Sequence, residues 1–499
     1  MMIAFSLLCV SLLASGAASQ STSDITGIPD LRALLLDPRN SWSPGTEITF
    51  PDDGDVFTNA TERWALYSPP TYNAAITPAG EEDVIRALNL MRDNNIQFLA
   101  TGGRHGYVTT FGALQNGVAI DLSNLNSVKV NKRQATLTIG GGVRTRDIIH
   151  PVSEAGLEMP LGGCSCPGLV GVTLAGGITN WVGTRGLLID TLLSVRLVTA
   201  NGRVVEASKK VNPDLFWAMR GAGTNFGIVL SATFQLFPPT NNDRITMIEG
   251  QYPPEKNVTY YETLGRVAQN LDARLSINSI IGFDPASNGT VILFNVHFLG
   301  PEEEALELVA PLLDVGPTWM ETHVVPWTSF HNTTLFGLDA QNCLGGAPRN
   351  PHGVLAKHVP VETLVRSFER MDRLFKDFPN THQTNAVFHS YGVDAFVAVP
   401  SDATAFPWRD AVHFVSVMSN YPLDDTVSRD ASSQAAYEIR ADIAENSGYD
   451  QLTSYMNFAH GDESVEQIFG PNLPRLISLK KKWDPENLFG YHYAIPTES

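Results

Sequence analysis

Residues 220–229 read RGAGTNFGIV, and the order of the elements around this stretch decides the fold. Its glycines, Gly221, Gly223 and Gly227, imitate a dinucleotide fingerprint, but such a fingerprint follows a strand and opens a helix. Here Asn212-Pro213 opens a short helix, with the cap at its start, proline at its first position and Gly221 at its end. Downstream, Ile228, Leu230, Ala232, Phe234 and Leu236 alternate as one face of a strand. Helix precedes strand, so the Rossmann reading is rejected.

Working outward, residues 64–238 mix helical and strand patterns as α+β or α/β domains do. Residues 81–95 read as a helix with Val84, Ala87, Leu88 and Met91 on one face, and 98–100 as a strand. Further strands are expected at 118–122 and 135–139, a helix from Thr145, and a hairpin pairing 195–199 with 203–206 around Asn201-Gly202. After Pro238-Pro239-Thr240-Asn241-Asn242 the texture changes. A hairpin of 275–283 with 291–299, a helix over 301–313 and strands at 386–392 and 413–418 describe an antiparallel sheet with helices on one face. The tail from Gly448 is too short for a domain and is expected to return to the first one. The expected division is a leader at 1–19, a first domain at 20–238 with its core at 64–238, a second at 239–447, and the return at 448–499.

The chain has 499 residues, and 34 basic against 52 acidic side chains give it a net charge of −18. That balance disfavours a nucleic-acid partner, whose phosphates need a basic surface. The apolar run Ile3 to Leu13, followed by small residues, reads as a secretory signal peptide without its positive flank. No later run is long enough to span a bilayer, so a soluble, secreted or secretory-lumen protein is expected. Sequons at Asn59, Asn257, Asn288 and Asn332 agree with that route. Cys164, Cys166 and Cys343 then remain in the mature chain, so at least one is free or modified. A Cys164–Cys166 bridge would close a strained ring, and Cys166 with Cys343 is the less strained pairing. No zinc-like spacing is present, and no metal is expected.

Residues 101–112, TGGRHGYVTTFG, place Arg104 and His105 between Gly102, Gly103 and Gly106 at a strand end. A cation and a nucleophilic imidazole there suit a polyanionic or electrophilic ligand, although a solvated loop would read alike. Together with GGCSCPGLVGVTLAGG at 162–177, RGAGTNFGIV, TAFPWR at 404–409 and KKKWDPENLF at 480–489, this loop resembles the berberine-bridge-enzyme-like FAD-linked oxidases of the vanillyl-alcohol-oxidase group. The motifs stand in the family's order and span nearly the whole mature chain. The resemblance implies an α+β, two-lobed PCMH-type FAD-binding domain with an inserted antiparallel-sheet substrate domain. It implies a histidyl bond from His105 to the flavin 8α-methyl and, in bicovalent members, a cysteinyl bond to C6, here from Cys164, with Cys166 as the other candidate. Gly168, Gly171, Gly176 and Gly177 would lie against pyrophosphate and flavin, and Asn225, Gly227, Ile228 and Val229 would edge the adenosine side.

The mechanism this implies is proton removal by a general base coupled to hydride transfer to flavin, with reoxidation usually by O2. The standard bases are missing. The tyrosine of the family's Asn-Tyr pair is Phe458, and counting from FPWR to the strand glutamate reaches Val415. His413, one pleat before Val415, is the first substitute, with His389, Tyr391 and Tyr455 as other polar groups near the cleft. The resemblance implies that the residue three after the flavin-linked cysteine helps set oxygen access, and here it is Pro167 rather than a valine or bulkier aliphatic, which leaves oxidase against dehydrogenase open. Trp319, Trp327, Phe330, Phe388, Tyr391 and Trp408 suit a mostly apolar small-molecule substrate, a specialised metabolite in the first reading, and would serve equally as core. A carbohydrate oxidase, a flavin-containing cyclase or isomerase without net redox change, and a binding protein on an inactive scaffold are the alternatives. Oligomeric state is not legible.

Overall fold

The computed structural model describes residues 30–498, so the leader expected at 1–19 lies outside the described residues. Three sheets carry the chain. The first is made of β1 (Glu47–Thr49), β2 (Tyr72–Thr77), β3 (Phe98–Thr101) and β4 (Gly117–Asp121), in the order β1-β2-β4-β3 with β4 parallel to both its neighbours. Helix Glu81–Asp93 crosses from β2 to β3 and buries Val84, Ala87, Leu88 and Met91 against Ile76, Val118 and Ile120. Strand β4 is buried on both faces, which is why GVAI reads as an unbroken apolar run.

The second sheet is antiparallel, β5-β6-β9-β7-β8, from β5 (Val128–Asn131), β6 (Thr136–Gly140), β7 (Leu192–Val198), β8 (Val204–Ser208) and β9 (Ile228–Gln235). The expectation of one apolar face along β9 is corrected by a bulge. Arg196 pairs with Ser231 and Leu197 with Val229, leaving Leu230 without a partner on β7. Ile228 and Leu230 therefore join the core of the first sheet, while Val229, Ala232, Phe234 and Leu236 enter the main core. The helix before it, Pro213–Ala222, breaks at Arg220 and at Gly221, whose φ is +130°. A Cβ on Gly221 would stand 2.3 Å from the Phe406 amide nitrogen, so glycine is required there. Asn212 is not the side-chain cap its position implies. It sits in left-handed geometry and donates through Nδ2 to the Glu206 carbonyl at 2.7 Å.

The third sheet is wholly antiparallel, ordered β13-β10-β12-β11-β15-β16-β14, from β10 (Ile245–Tyr252), β11 (Leu275–Asp284), β12 (Gly289–Phe298), β13 (Trp319–Val325), β14 (Asn350–Ala356), β15 (Asn385–Tyr391) and β16 (His413–Ser419). Helices Asn257–Val267, Glu302–Leu313, Val361–Asp377 and Thr426–Glu445 cover one face, burying Ile277, Phe294, Phe388, Val415 and Val417. The other face turns toward the glycine-rich loops, and its buried positions include the polar Glu249, Asn278, Asn295, His297 and Ser416 beside the apolar Met247 and Phe414.

The tail returns to the first half. Lys480, on helix Leu473–Trp483, is fully buried and donates through Nζ to the carbonyls of Asn225 (2.9 Å) and Phe489 (3.1 Å) while pairing with Asp484 at 2.7 Å. Asn225 answers by donating to the His492 carbonyl and accepting from the Ile495 amide. Tyr493 and Ile495 close the main core.

Candidate active site

One cavity of about 490 Å³ runs from the glycine-rich loops to the polar face of the third sheet. At its first end the loop after β3 crosses the segment at 167–168. A Cβ on Gly103 would lie 2.2 Å from the Gly168 nitrogen, and one on Gly168 would lie 2.6 Å from the Gly103 nitrogen. Only glycine on both sides permits that crossing. Arg104 takes φ +59°, and the amides of Gly103, Arg104, His105 and Gly106 make no hydrogen bond among the described residues. Successive free amides in such a turn form an anion-binding concavity.

Arginines concentrate here although the chain as a whole is strongly acidic. Arg104 pairs with Asp121 at 2.8 Å, Arg63 donates to the Gly106 carbonyl at 2.6 Å, and Arg349 lies 3.8 Å over Trp64 and donates to its carbonyl at 2.6 Å. Trp64 in turn stacks on His105 with ring centroids 4.8 Å apart. Burial first, then the charges of Arg144, Arg349, Arg63 and Arg146, push His105 down to about 3, so its imidazole is neutral and keeps a free lone pair. On the same wall, burial and the Asp339 carboxylate push the Cys164 thiol up to about 11, against the pull of Arg349. Cys166 is bonded to Cys343, which leaves Cys164 as the free cysteine among the described residues. Free amides, a positive field, a neutral imidazole and a thiol on one cavity fit an anionic cofactor with an electrophilic ring, as FAD is.

At the other end, His389 and Tyr391 on β15 and Ser416 and Met418 on β16 line the cavity with Asn278, Leu335 and Phe458. His389 Nδ1 lies 2.6 Å from Asn278 Oδ1, and its ring stacks between Tyr391 (6.0 Å) and Phe458 (5.8 Å). Burial pushes His389 down to about 4, so it is neutral near pH 7 and able to accept a proton. The Tyr391 phenol is held protonated by burial.

The cavity walls include Gly103, Arg104, His105, Gly106, Cys164, Gly168, Gly171, Gly227, Ile228, Val229 and Tyr391, as the sequence places them. Other candidates fall elsewhere. His413 shares a face with Val415 as expected, but that face is the helix-covered one, where its Nδ1 meets Ser390 Oγ at 3.0 Å. The counted position is thus one residue off, and Ser416 rather than Val415 faces the cavity. Tyr455 does not line the cavity: its hydroxyl accepts from the Gly177 and Ile178 amides and from Asn457 Nδ2. Gly176 and Gly177 lie behind the wall in that turn, Gly102 packs on the Gly141 carbonyl, and Asn225 is spent on the tail. Trp327, Phe330 and Phe388 are core, and Trp319 is exposed on the edge strand β13. Asn59, Asn288 and Asn332 are exposed and Asn257 half-buried.

Sequence reasoning missed Asn278, Asn295 and Glu249. The signal was polar residues set within largely apolar strands, Asn278 in SINSII, Asn295 in ILFNVHF and Glu249 in ITMIE.

Comparison with known proteins agrees with this geometry. The family model described as an FAD binding domain matches residues 72–208, and that described as berberine and berberine like matches 454–496. The chain is 39% identical over 470 residues to the FAD-linked oxidoreductase srdI of Neurospora crassa, covering 94% of this chain and 93% of that protein. It is 40% identical over 458 residues to the FAD-linked oxidoreductase OXR1 of Pyricularia oryzae, covering 91% and 90%. Among solved structures, the BBE-like 1 protein of Physcomitrella patens superposes with a TM-score of 0.77 at 21% identity, covering 91% of this chain and 98% of that one. A chitooligosaccharide oxidase does so at 0.79 and 19%, covering 92% and 98%. At such identities the structures speak for the fold alone.

Proposed function

Because the chain belongs to the berberine-bridge-enzyme-like FAD-linked oxidoreductases, we propose that it oxidises a small, mostly apolar metabolite with His389 as the general base. The observation that carries this reading is the single cavity joining the free-amide loop to the neutral His389 imidazole. FAD, when bound, would supply the hydride-accepting chemistry, with O2 as the terminal acceptor in this reading. His105 and Cys164 would hold the isoalloxazine covalently, and the free amides at 103–106 suit an anionic group of the cofactor.

The protein's own part is orientation and proton transfer. Leu335, Met418, Phe458 and Tyr391 wall the substrate end, excluding water and favouring an apolar skeleton over an oligosaccharide. His389 Nε2 makes no hydrogen bond among the described residues, so a substrate proton has a vacant acceptor beside those walls. In this reading residues 20–238 with 448–499 carry FAD and 239–447 the substrate. The protein passes through the secretory pathway, with glycans at Asn59, Asn257, Asn288 and Asn332.

The test is anaerobic bleaching of the bound flavin with a panel of hydroxylated aromatic and aliphatic compounds. His389→Ala should bleach about a hundredfold more slowly than the parent with the responsive compound. Since His389 must be neutral to act and its pKa is held near about 4, the parent rate should be flat from neutral pH down to about 5 and fall below it. Parent-like bleaching by His389→Ala would remove the base assignment. Product formed without bleaching would mark a cyclase or isomerase instead.

A further inference from the structure

Glu249, Asn295, Asn278 and His389 occupy one row across four neighbouring strands. Glu249 on β10 is paired directly with Asn295 on β12, Asn295 with Asn278 on β11, and Asn278 with His389 on β15. Directly paired residues project from the same face, here the face toward the cavity. Asn278, Asn295 and Glu249 are 3%, 0% and 4% exposed, so each polar group needs a partner within the protein. They find them in one another.

We propose that this row is a one-way hydrogen-bond relay whose work is to fix the tautomer of His389, with Asn278, Asn295 and Glu249 as positioning residues. It rests on His389 being the base. The direction is set at the far end. Glu249 Oε1 accepts from Asn295 Nδ2 and, at 2.8 Å, from the backbone amide of Phe336. An acceptor there turns the Asn295 amide so that its Oδ1 faces Asn278, whose Nδ2 donates at 3.3 Å. Asn278 Oδ1 is thereby aimed at His389 Nδ1, 2.6 Å away, and a carbonyl oxygen can only accept. The ring proton must sit on Nδ1. Nε2 keeps its lone pair for the cavity, as in other sites where a base is oriented through its second nitrogen.

The groups facing the two ends do not disturb this order. Glu321, opposite Glu249 on β13, is solvent-exposed, and a proton taken up by Glu249 goes to Oε2, because Oε1 already receives the Phe336 amide. His297 from β12 is buried and kept neutral, with Nε2 on Thr334 Oγ1 at 2.6 Å. Tyr391 stacks on His389 without a hydrogen bond to it.

Holoenzyme labelled with ¹⁵N-histidine gives the test without turnover. The His389 signals are assigned by their loss in His389→Ala. The parent should show a pyrrole-type Nδ1 and a pyridine-type Nε2. Asn295→Leu, which touches His389 nowhere, should lose that split and give tautomer-averaged signals, and so should Asn278→Leu. Glu249→Gln keeps an oxygen for both donors and should retain the parent split. A parent proton on Nε2, an Asn295→Leu protein with the parent split, or averaged signals in Glu249→Gln would each overturn the relay. If His389→Ala bleaches like the parent while the tautomer pattern is as expected, the base reading falls and the relay stands. Should His389→Ala fail to bleach while Asn295→Leu keeps the parent split, only the relay falls.

Discussion

His105 and Cys164 face the same cavity with opposite relations to their protons. The imidazole is neutral because burial and four arginines oppose its charge, so it is a ready nucleophile; the thiol is held protonated by burial and Asp339. Attachment through His105 should therefore proceed first, and attachment through Cys164 should wait for a bound ring to draw the proton away. If both form, His105→Ala and Cys164→Ala should each keep acid-stable flavin through the other bond, and only the double variant should release FAD on acid precipitation. A Cys164→Ala protein whose flavin peptide matches the parent in mass and spectrum would leave a single histidyl link. At this scale the sequence was legible where chemistry is local. The run TGGRHG read alone suits a solvated loop as well as a ligand site, and the resemblance carried by the ordered motifs picks out its residues, most of which line the cavity. The base was not local. Whether His413 or Ser416 faces the cavity depends on strand parity, and one residue of error in the loop after FPWR exchanges the faces.

Elements show the same division between what a window of sequence fixes and what a neighbour imposes. The hairpin at Asn201-Gly202 and the crossover helix Glu81–Asp93 follow from turn chemistry and periodicity, and both form as expected. The bulge at Leu230 has no signature in β9 itself, because it lets one strand serve two cores. Long-range ties decide the rest. The segment between β13 and β14, which supplies Leu335 to the cavity, is fastened to the Cys164 turn by the Cys166–Cys343 bond and by Ser165, whose amide donates to Asp339 at 2.9 Å. Cys343→Ala should lower unfolding stability by about 2–5 kcal/mol while leaving the mass of the flavin peptide unchanged. A change in flavin mass would instead implicate Cys166 in attachment. Tyr455→Phe strands the Gly177 and Ile178 amides, while Asn457 Nδ2 keeps the Val172 carbonyl at 3.0 Å, and denaturant titration should show a loss of about 1–3 kcal/mol.

Desolvated histidines are spread over both halves of the molecule and its tail. His297 and His352 are pushed down to about 3, and His389, His413 and His492 to about 4, burial being the main cause each time. In the unfolded chain each would titrate near the ordinary value of about 6.5. Between those limits the unfolded state binds more protons than the native one, so stability present above about pH 6.5 is lost as pH falls toward about 4. Buried carboxyls act in the opposite sense. Glu249, raised to about 7, and Glu158 and Asp121, also raised, take up protons in the native state first. Five histidines outweigh these three groups, so the melting temperature should fall steadily from pH 7 to pH 5. His413 isolates the effect, since it lies on the helix-covered face away from the cavity. His413→Asn removes one titrating ring, and the slope of stability against pH should shrink by about 1.4 kcal/mol per pH unit, one proton's worth, with the flavin spectrum unchanged. A melting temperature that is flat or rises on acidification, or a His413→Asn slope equal to the parent's, would show that the native state protonates these rings in place.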